Sequence, residues 1–267
     1  MEKISKIKII SLGETALNTI EKEIITHENI SIITIKNDYK DWKIKFQNTD
    51  VILIILNTYF ENDKNFALEI IRNTEKNDIF TGIYDIGNGY TDLFDSKTNF
   101  IIKCKSSEDL KNGINGITKI LTAKGMVTLD LADLKTVFQK TSKSFVIFEK
   151  GNLETFDDFL QNLKLKLETF DKNKTYKIFL NITAGKNIEL TQIKYIAKIM
   201  TNILNERAFL WGLQIHPENE NFINIIAYIV EINIIERRDL EWKETISLIL
   251  QHQSCHRMLL YVGYATG

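Results

Sequence analysis

Proline is nearly missing from this chain, with Pro217 the single instance in 267 residues. Together with the heavy use of Ile, Lys and Asn, this reads as a compositional bias of the source genome, and it leaves no Pro-rich disordered linker. Cysteine is scarce too. Cys104 and Cys255 stand far apart with neither a disulfide nor a metal spacing, so a reducing cytosol, and hence a cytoplasmic protein, is expected. The apolar run in MEKISKIKIISLG is too short for a secretory signal, and no stretch approaches the roughly 20 apolar residues of a membrane span. Charge of one sign is absent as well: 34 basic against 35 acidic residues give a net charge of -1, so neither nucleic acid nor an anionic membrane is called for as partner. What remains, 44% hydrophobic and 26% charged, is the composition of an ordinary globular protein long enough to bury a sizeable core in one or two domains.

The chain is organised around Leu110 to Val137. Leu110, Ile114, Ile117 and Leu121 recur at helical spacing, which predicts a helix with one apolar face running through packed protein. Gly125 breaks it. Asp130 and Asp133 then open a second helical run, where acidic groups suit the positive end of a helix, and both are expected on one exposed turn.

Before this stretch, Lys6 to Ser11, Ile30 to Ile35, Asp50 to Leu56, Ile79 to Ile86 and Phe100 to Lys103 read as strands, the third with the unbroken apolar character of a central parallel strand. Phe66, Ile70 and Ile71 mark a helix, and Gly87 and Gly89 a turn in which glycine supplies positive φ. After it come a strand from Lys143 to Phe148 and a core-type helix through Phe159, Leu163 and Leu167. The strand from Tyr176, a helix bearing Ile193, Ile196 and Met200, and strands from Phe209 and Ile223 follow. The alternation predicts α/β architecture. The last thirty-odd residues suggest one helix with Leu240, Ile246, Ile249 and Leu250 turned inward. His252, Cys255 and His256 lie on one or two adjacent turns and could ligate a metal, since two histidines at i, i+4 share a face, but with no fourth candidate nearby a docked helix is the default reading.

The two loops at the ends of the first and third strands carry the functional question. A phosphate-cradling loop needs consecutive glycines so that backbone N–H groups can close on an anion. SLGETALNTI offers one, Gly13, followed by Glu14. The other loop, Asn57 to Asp63, has none; Tyr59 and Phe60 are expected to occupy the space, with Glu61 and Asp63 facing any anion.

LKNGINGITKILTAKGMVTLDLADLKTVF resembles the central helix and following loop of FtsZ, of the tubulin superfamily, with Thr128, Asp130, Ala132 and Asp133 on an Asn-x-Asp-x-Ala-Asp pattern. FLNITAG, Phe179 to Gly185, is similar to that family's strand-to-turn signature. The resemblance implies a tubulin/FtsZ-like α/β fold. Residues 1–104 would form a reduced Rossmann-like nucleotide-binding-type domain, 105–125 the central helix, 126–233 an α+β C-terminal domain, and 234–267 a divergent extension. In such proteins aspartates from one subunit reach the GTP of the next. Asp130 and Asp133 fall on those catalytic positions, and Gly13, Asn18 and Asn57 on the nucleotide loops.

Because the glycine-rich signatures are missing, the expectation is a protein without GTP or Mg²⁺ that acts as a binding or filament-modulating subunit, in head-to-tail contact with FtsZ or with itself. The alternatives are an active GTPase with an atypical pocket, which would take GTP and Mg²⁺, and a scaffold module that binds through its C-terminal helix.

Overall fold

Runs of β-branched and aliphatic residues dictate a sheet, and nine strands form in the computed structural model, which describes residues 4–14, 16, 27–35, 46–87, 89, 91–95, 97–123, 125–138 and 143–232. They are β1 (Ile7–Leu12), β2 (Ile30–Ile35), β3 (Val51–Leu56), β4 (Phe80–Asp85), β5 (Phe100–Lys103), β6 (Lys143–Asn152), β7 (Thr175–Gly185), β8 (Glu206–His216) and β9 (Phe222–Ile232). The chain divides into a compact unit Met1–Glu231 and a second unit from Ile232 onward, and the account below concerns the first. Asn18, the expected C-terminal helix and the His252, Cys255 and His256 group lie outside the described residues.

All nine strands belong to one sheet in the order β2-β1-β3-β4-β5-β6-β9-β7-β8. From β2 to β6 every pairing is parallel; β6 meets β9 antiparallel, and β7 and β8 are parallel again. This is a mixed α/β fold with a mainly parallel sheet. The chain moves outward from β1 to β2 and then returns to place β3 on the other side of β1, so the order reverses between β1 and β3. In open α/β sheets the crevice outside the carboxyl ends of the strands at such a reversal is where ligands bind.

β3 shows why the apolar run has to be continuous. All six of its residues are buried. Ile52, Ile54 and Leu56 pack with Ile10 and Leu12 of β1 and with Phe66, Ala67, Ile70 and Ile71 of helix α1 (Glu61–Lys76). Val51, Leu53 and Ile55 join a second cluster on the opposite face with helix α2 (Ser107–Thr122). A strand covered on both sides has no solvent face, and so shows no polar alternation.

α2 is the predicted central helix. Ser106 and Asp109 form a reciprocal capping box at its start, and Leu110, Ile114, Ile117 and Leu121 are all buried as their spacing requires. Its two glycines permit close contact. A Cβ at Gly113 would lie 2.6 Å from the Tyr84 ring of β4, and one at Gly116 would collide with the Tyr228 hydroxyl of β9. Both hydroxyls donate to one acceptor, the Gly113 carbonyl, at 2.8 Å from Tyr84 and 2.5 Å from Tyr228. Burial raises the pKa of both phenols above its ordinary value. Phe138 sits beside this junction, with Phe80, Phe100, Phe179 and Tyr228 around its ring.

Beyond α2 the chain passes Gly125, whose lack of a side chain lets it approach the Leu213 carbonyl, and Val127 adds one antiparallel rung to β8 at Leu213. Helix α3 (Leu131–Val137) follows. Helices α4 (Phe156–Leu167) and α5 (Leu190–Ile203) bury Phe159, Leu163, Ile193, Ile196 and Met200 in a separate cluster against β7 and β9. FLNITAG lies wholly within β7, and the turn begins only at Lys186. Asn181 and Thr183 are buried there, on a strand flanked by β9 and β8.

Candidate functional site

Ser11 of β1 pairs with Ile55 of β3, so the loops that leave these strands emerge side by side at the point of reversal. Gly13 follows β1 with a φ of 80°, a left-handed conformation that favours glycine. The missing side chain matters as much as the dihedral. A Cβ at Gly13 would stand 2.6 Å from the Asp63 Oδ2 atom. Asp63 belongs to the first turn of α1 and is only 5% exposed. The crevice between the β1 and β3 loops therefore holds a carboxylate of the chain itself.

The next pair of loops is wired in the same way. Asp85 ends β4 at 0% exposure, and its carboxylate accepts from the Thr58 N–H at 3.1 Å, the Thr58 hydroxyl at 2.9 Å and the Gly87 N–H at 2.9 Å. Gly87 does not adopt a left-handed φ, contrary to the sequence expectation. It is glycine because any side chain would collide with the Asn57 amide and come within 2.9 Å of the Thr58 nitrogen, and a Cβ at Gly89 would collide with the Thr58 carbonyl. Asn57 holds its own loop, its side-chain oxygen accepting from the Tyr59 N–H at 3.0 Å and its carbonyl from Phe60 at 3.1 Å.

Tyr59 and Phe60 do not fill the crevice. They are 77% and 47% exposed and meet edge to face in solvent, with ring centroids 5.8 Å apart. With the Thr58 donors drawn inward by Asp85, the next two side chains are left on the outside of the turn. Glu61 is exposed as well and pairs with Lys64 at 2.6 Å. Cys104, next to β5, donates its N–H to the Asp85 carbonyl. Burial, with added repulsion from Asp109 and Asp85, pushes its thiol up to about 12, so it is no nucleophile.

Asp130 and Asp133 form a second locus. Asp130 is the N-cap of α3; its Oδ1 accepts from Ala132 N at 2.7 Å and Asp133 N at 3.0 Å, while Asp133 Oδ2 accepts from Asp130 N at 3.0 Å. This is a capping box made of two aspartates. Asp130 is exposed and Asp133 half-buried, so they do not project equally.

Lys135 of α3 pairs with Asp78, just ahead of β4, at 3.0 Å, which places α3 at the edge where the strands begin. Gly13 and Asn57 stand at the edge where they end. The 16 residues of α2 separate the two edges by about 24 Å at 1.5 Å per residue. Within one chain the aspartates cannot reach the crevice.

The sequence points to Gly13 and Asn57 in these loops but gives no place to Asp85 and Thr58, whose contacts tie the loops together. The signal was the Asp that ends the apolar run FTGIYD, a charged residue where a buried parallel strand stops. Among the described residues no group of three or more His, Cys, Asp or Glu side chains is placed to hold a metal, and no helix is long and apolar enough to cross a membrane.

No protein-family model matches the chain. Over 130 residues it is 23% identical to the cell division protein FtsZ 1 of Archaeoglobus fulgidus, covering 48% of this chain and 35% of that relative; the match thus spans about a third of the curated protein. Among solved structures it is similar to an empty FtsZ dimer of M. jannaschii, with a TM-score of 0.62 at 13% identity over 85% of this chain and 88% of that one. It is also similar to TubZ of Bacillus thuringiensis serovar israelensis in GDP-form protofilaments, with a TM-score of 0.54 at 11% identity over 98% and 94%. Sequence and fold point the same way: part of this chain is similar to curated FtsZ proteins at low identity, and its mixed α/β fold is similar to that of solved FtsZ and TubZ structures.

Proposed function

We propose that this chain is an FtsZ-like cytoskeletal subunit that neither binds nor hydrolyses GTP and that modulates a filament by occupying one end of it. The observation that carries the reading is the Asp63 carboxylate packed against Gly13 at the strand-order reversal. A triphosphate needs convergent donors and room for bulk at this crevice. Here a buried carboxylate takes the room, and Glu14 adds charge of the wrong sign. GTP and Mg²⁺ do not fit this set of residues, so no catalytic step is assigned to Asp130 or Asp133.

The other end supports the positive half of the proposal. The solved relatives include an FtsZ dimer and TubZ protofilaments. Asp130 stands exposed on the edge opposite the crevice, so a partner, and not the chain's own crevice, would be what it meets. A contact in which one subunit's starting edge meets the next one's crevice is heterologous and propagates only if both faces work. A subunit with one working face adds to an end and stops growth there.

The test is sedimentation of an active FtsZ with GTP, with and without this protein. Lower polymer mass and altered GTP turnover at substoichiometric ratios are expected. Unchanged polymer and turnover over a wide range of ratios would reject the proposal.

A further inference from the structure

We propose that the loops after β3 and β4 form an oxyanion-binding nest that carries its own ligand, the Asp85 carboxylate. Three donors converge on it: the Thr58 N–H, the Thr58 hydroxyl and the Gly87 N–H, all at 2.9 to 3.1 Å. They come from two separate loops, held together by the close approach of Gly87 and Gly89 to Asn57 and Thr58. Thr58 is 1% exposed and Asp85 0%, so water does not compete for the arrangement. Two backbone N–H groups and a hydroxyl around one buried anion is the chemistry by which loops hold phosphate or carboxylate ligands. The difference here is that the anion is tethered by its own Cα.

It follows that Asp85 and an external oxyanion of similar size are mutually exclusive ligands of the same donors. Truncating Asp85 leaves three buried donors unsatisfied, each of them costly, and a space shaped like the deleted carboxymethyl group. Acetate is that group with a hydrogen in place of the chain. The inference rests on the Thr58, Asp85 and Gly87 contacts alone, so it can fail while the filament-end reading stands, and the reverse also holds.

The experiment is thermal unfolding of the wild-type chain, Asp85→Gly and the double variant Asp85→Gly/Thr58→Val. Each is titrated with sodium acetate or inorganic phosphate against sodium chloride at matched ionic strength. Asp85→Gly is expected to melt lower than wild type and to regain a good part of the loss, saturably, in acetate or phosphate but not in chloride. The double variant should regain less, and the wild type should show only the smaller, non-saturating rise that an excluded salt such as phosphate gives any folded protein.

If Asp85→Gly does not fold in chloride, its refolding yield is read in the same three salts and compared with that of Asp85→Ser. Recovery confined to the oxyanions supports the proposal. Equal behaviour in all three salts for both variants, or an equal response of the wild type, overturns it.

Discussion

The two ends of α2 use the same residue type to opposite effect. At the edge where the parallel strands end, Asp63 and Asp85 turn inward, one against Gly13 and the other into three hydrogen bonds from Thr58 and Gly87. At the edge where they begin, Asp130 stays exposed and offers one carboxylate oxygen to the first turn of α3. The inward carboxylates complete the loops around them. The outward one satisfies its helix and still faces solvent. Glycines stand beside the enclosed carboxylates, Gly13 against Asp63 and Gly87 donating to Asp85, whereas among the described residues no glycine packs against Asp130.

The comparison depends on the frame between the two ends, and breaking that frame should have the largest effect. Phe138→Ala empties a fully buried ring site where Phe80, Phe100, Phe179 and Tyr228 meet. A loss of about 3–5 kcal/mol is expected in urea unfolding.

At the crevice edge, Gly13→Ala imposes a side chain on a left-handed φ and crowds Asp63. The expected cost is about 2 kcal/mol. Pairing it with Asp63→Ala should recover the part due to crowding, so that the two changes are non-additive in a double-mutant cycle.

Between the edges, Tyr228→Phe removes one of the two hydroxyls on the Gly113 carbonyl, for about 1 kcal/mol at pH 7. The sign of its pH dependence follows from the raised phenol pKa values. The folded state holds both phenols neutral, so their contribution is complete below the unfolded value of about 10 and is lost as pH rises above it. Alkaline unfolding should therefore be less steep in Tyr228→Phe than in the wild type, as read by circular dichroism between pH 9 and 12.

At the starting edge, Asp130→Ala should cost only about 1 kcal/mol, the usual worth of a cap. In the sedimentation assay the same variant separates the two roles of this residue. If it only caps α3, a folded Asp130→Ala protein will still alter FtsZ polymer.

Much of the fold could be read directly. The run VILIIL had to be a strand covered on both faces, and the spacing of Leu110, Ile114, Ile117 and Leu121 had to be a helix buried along one side; both are so. Asp130 and Asp133, three residues apart, gave the helix start.

The crevice was read only in part. Tyr59 and Phe60 were expected to fill it because they replace glycines, yet they face solvent. Their direction is set by Thr58, whose donors are claimed by Asp85, 27 residues away in sequence. No local pattern reports a hydrogen bond across that distance; it follows only once β4 is known to lie beside β3. The same holds for Gly87, which sequence assigns to a turn dihedral and the packing assigns to a close approach to Asn57 and Thr58.

The proposal that the crevice at the reversal between β1 and β3, where the Asp63 carboxylate packs against Gly13, takes no nucleotide can be decided by titration calorimetry of the purified protein with GTP and Mg²⁺. No saturable heat is expected up to millimolar nucleotide. One-to-one binding in the micromolar range, lost on Gly13→Val, would contradict it.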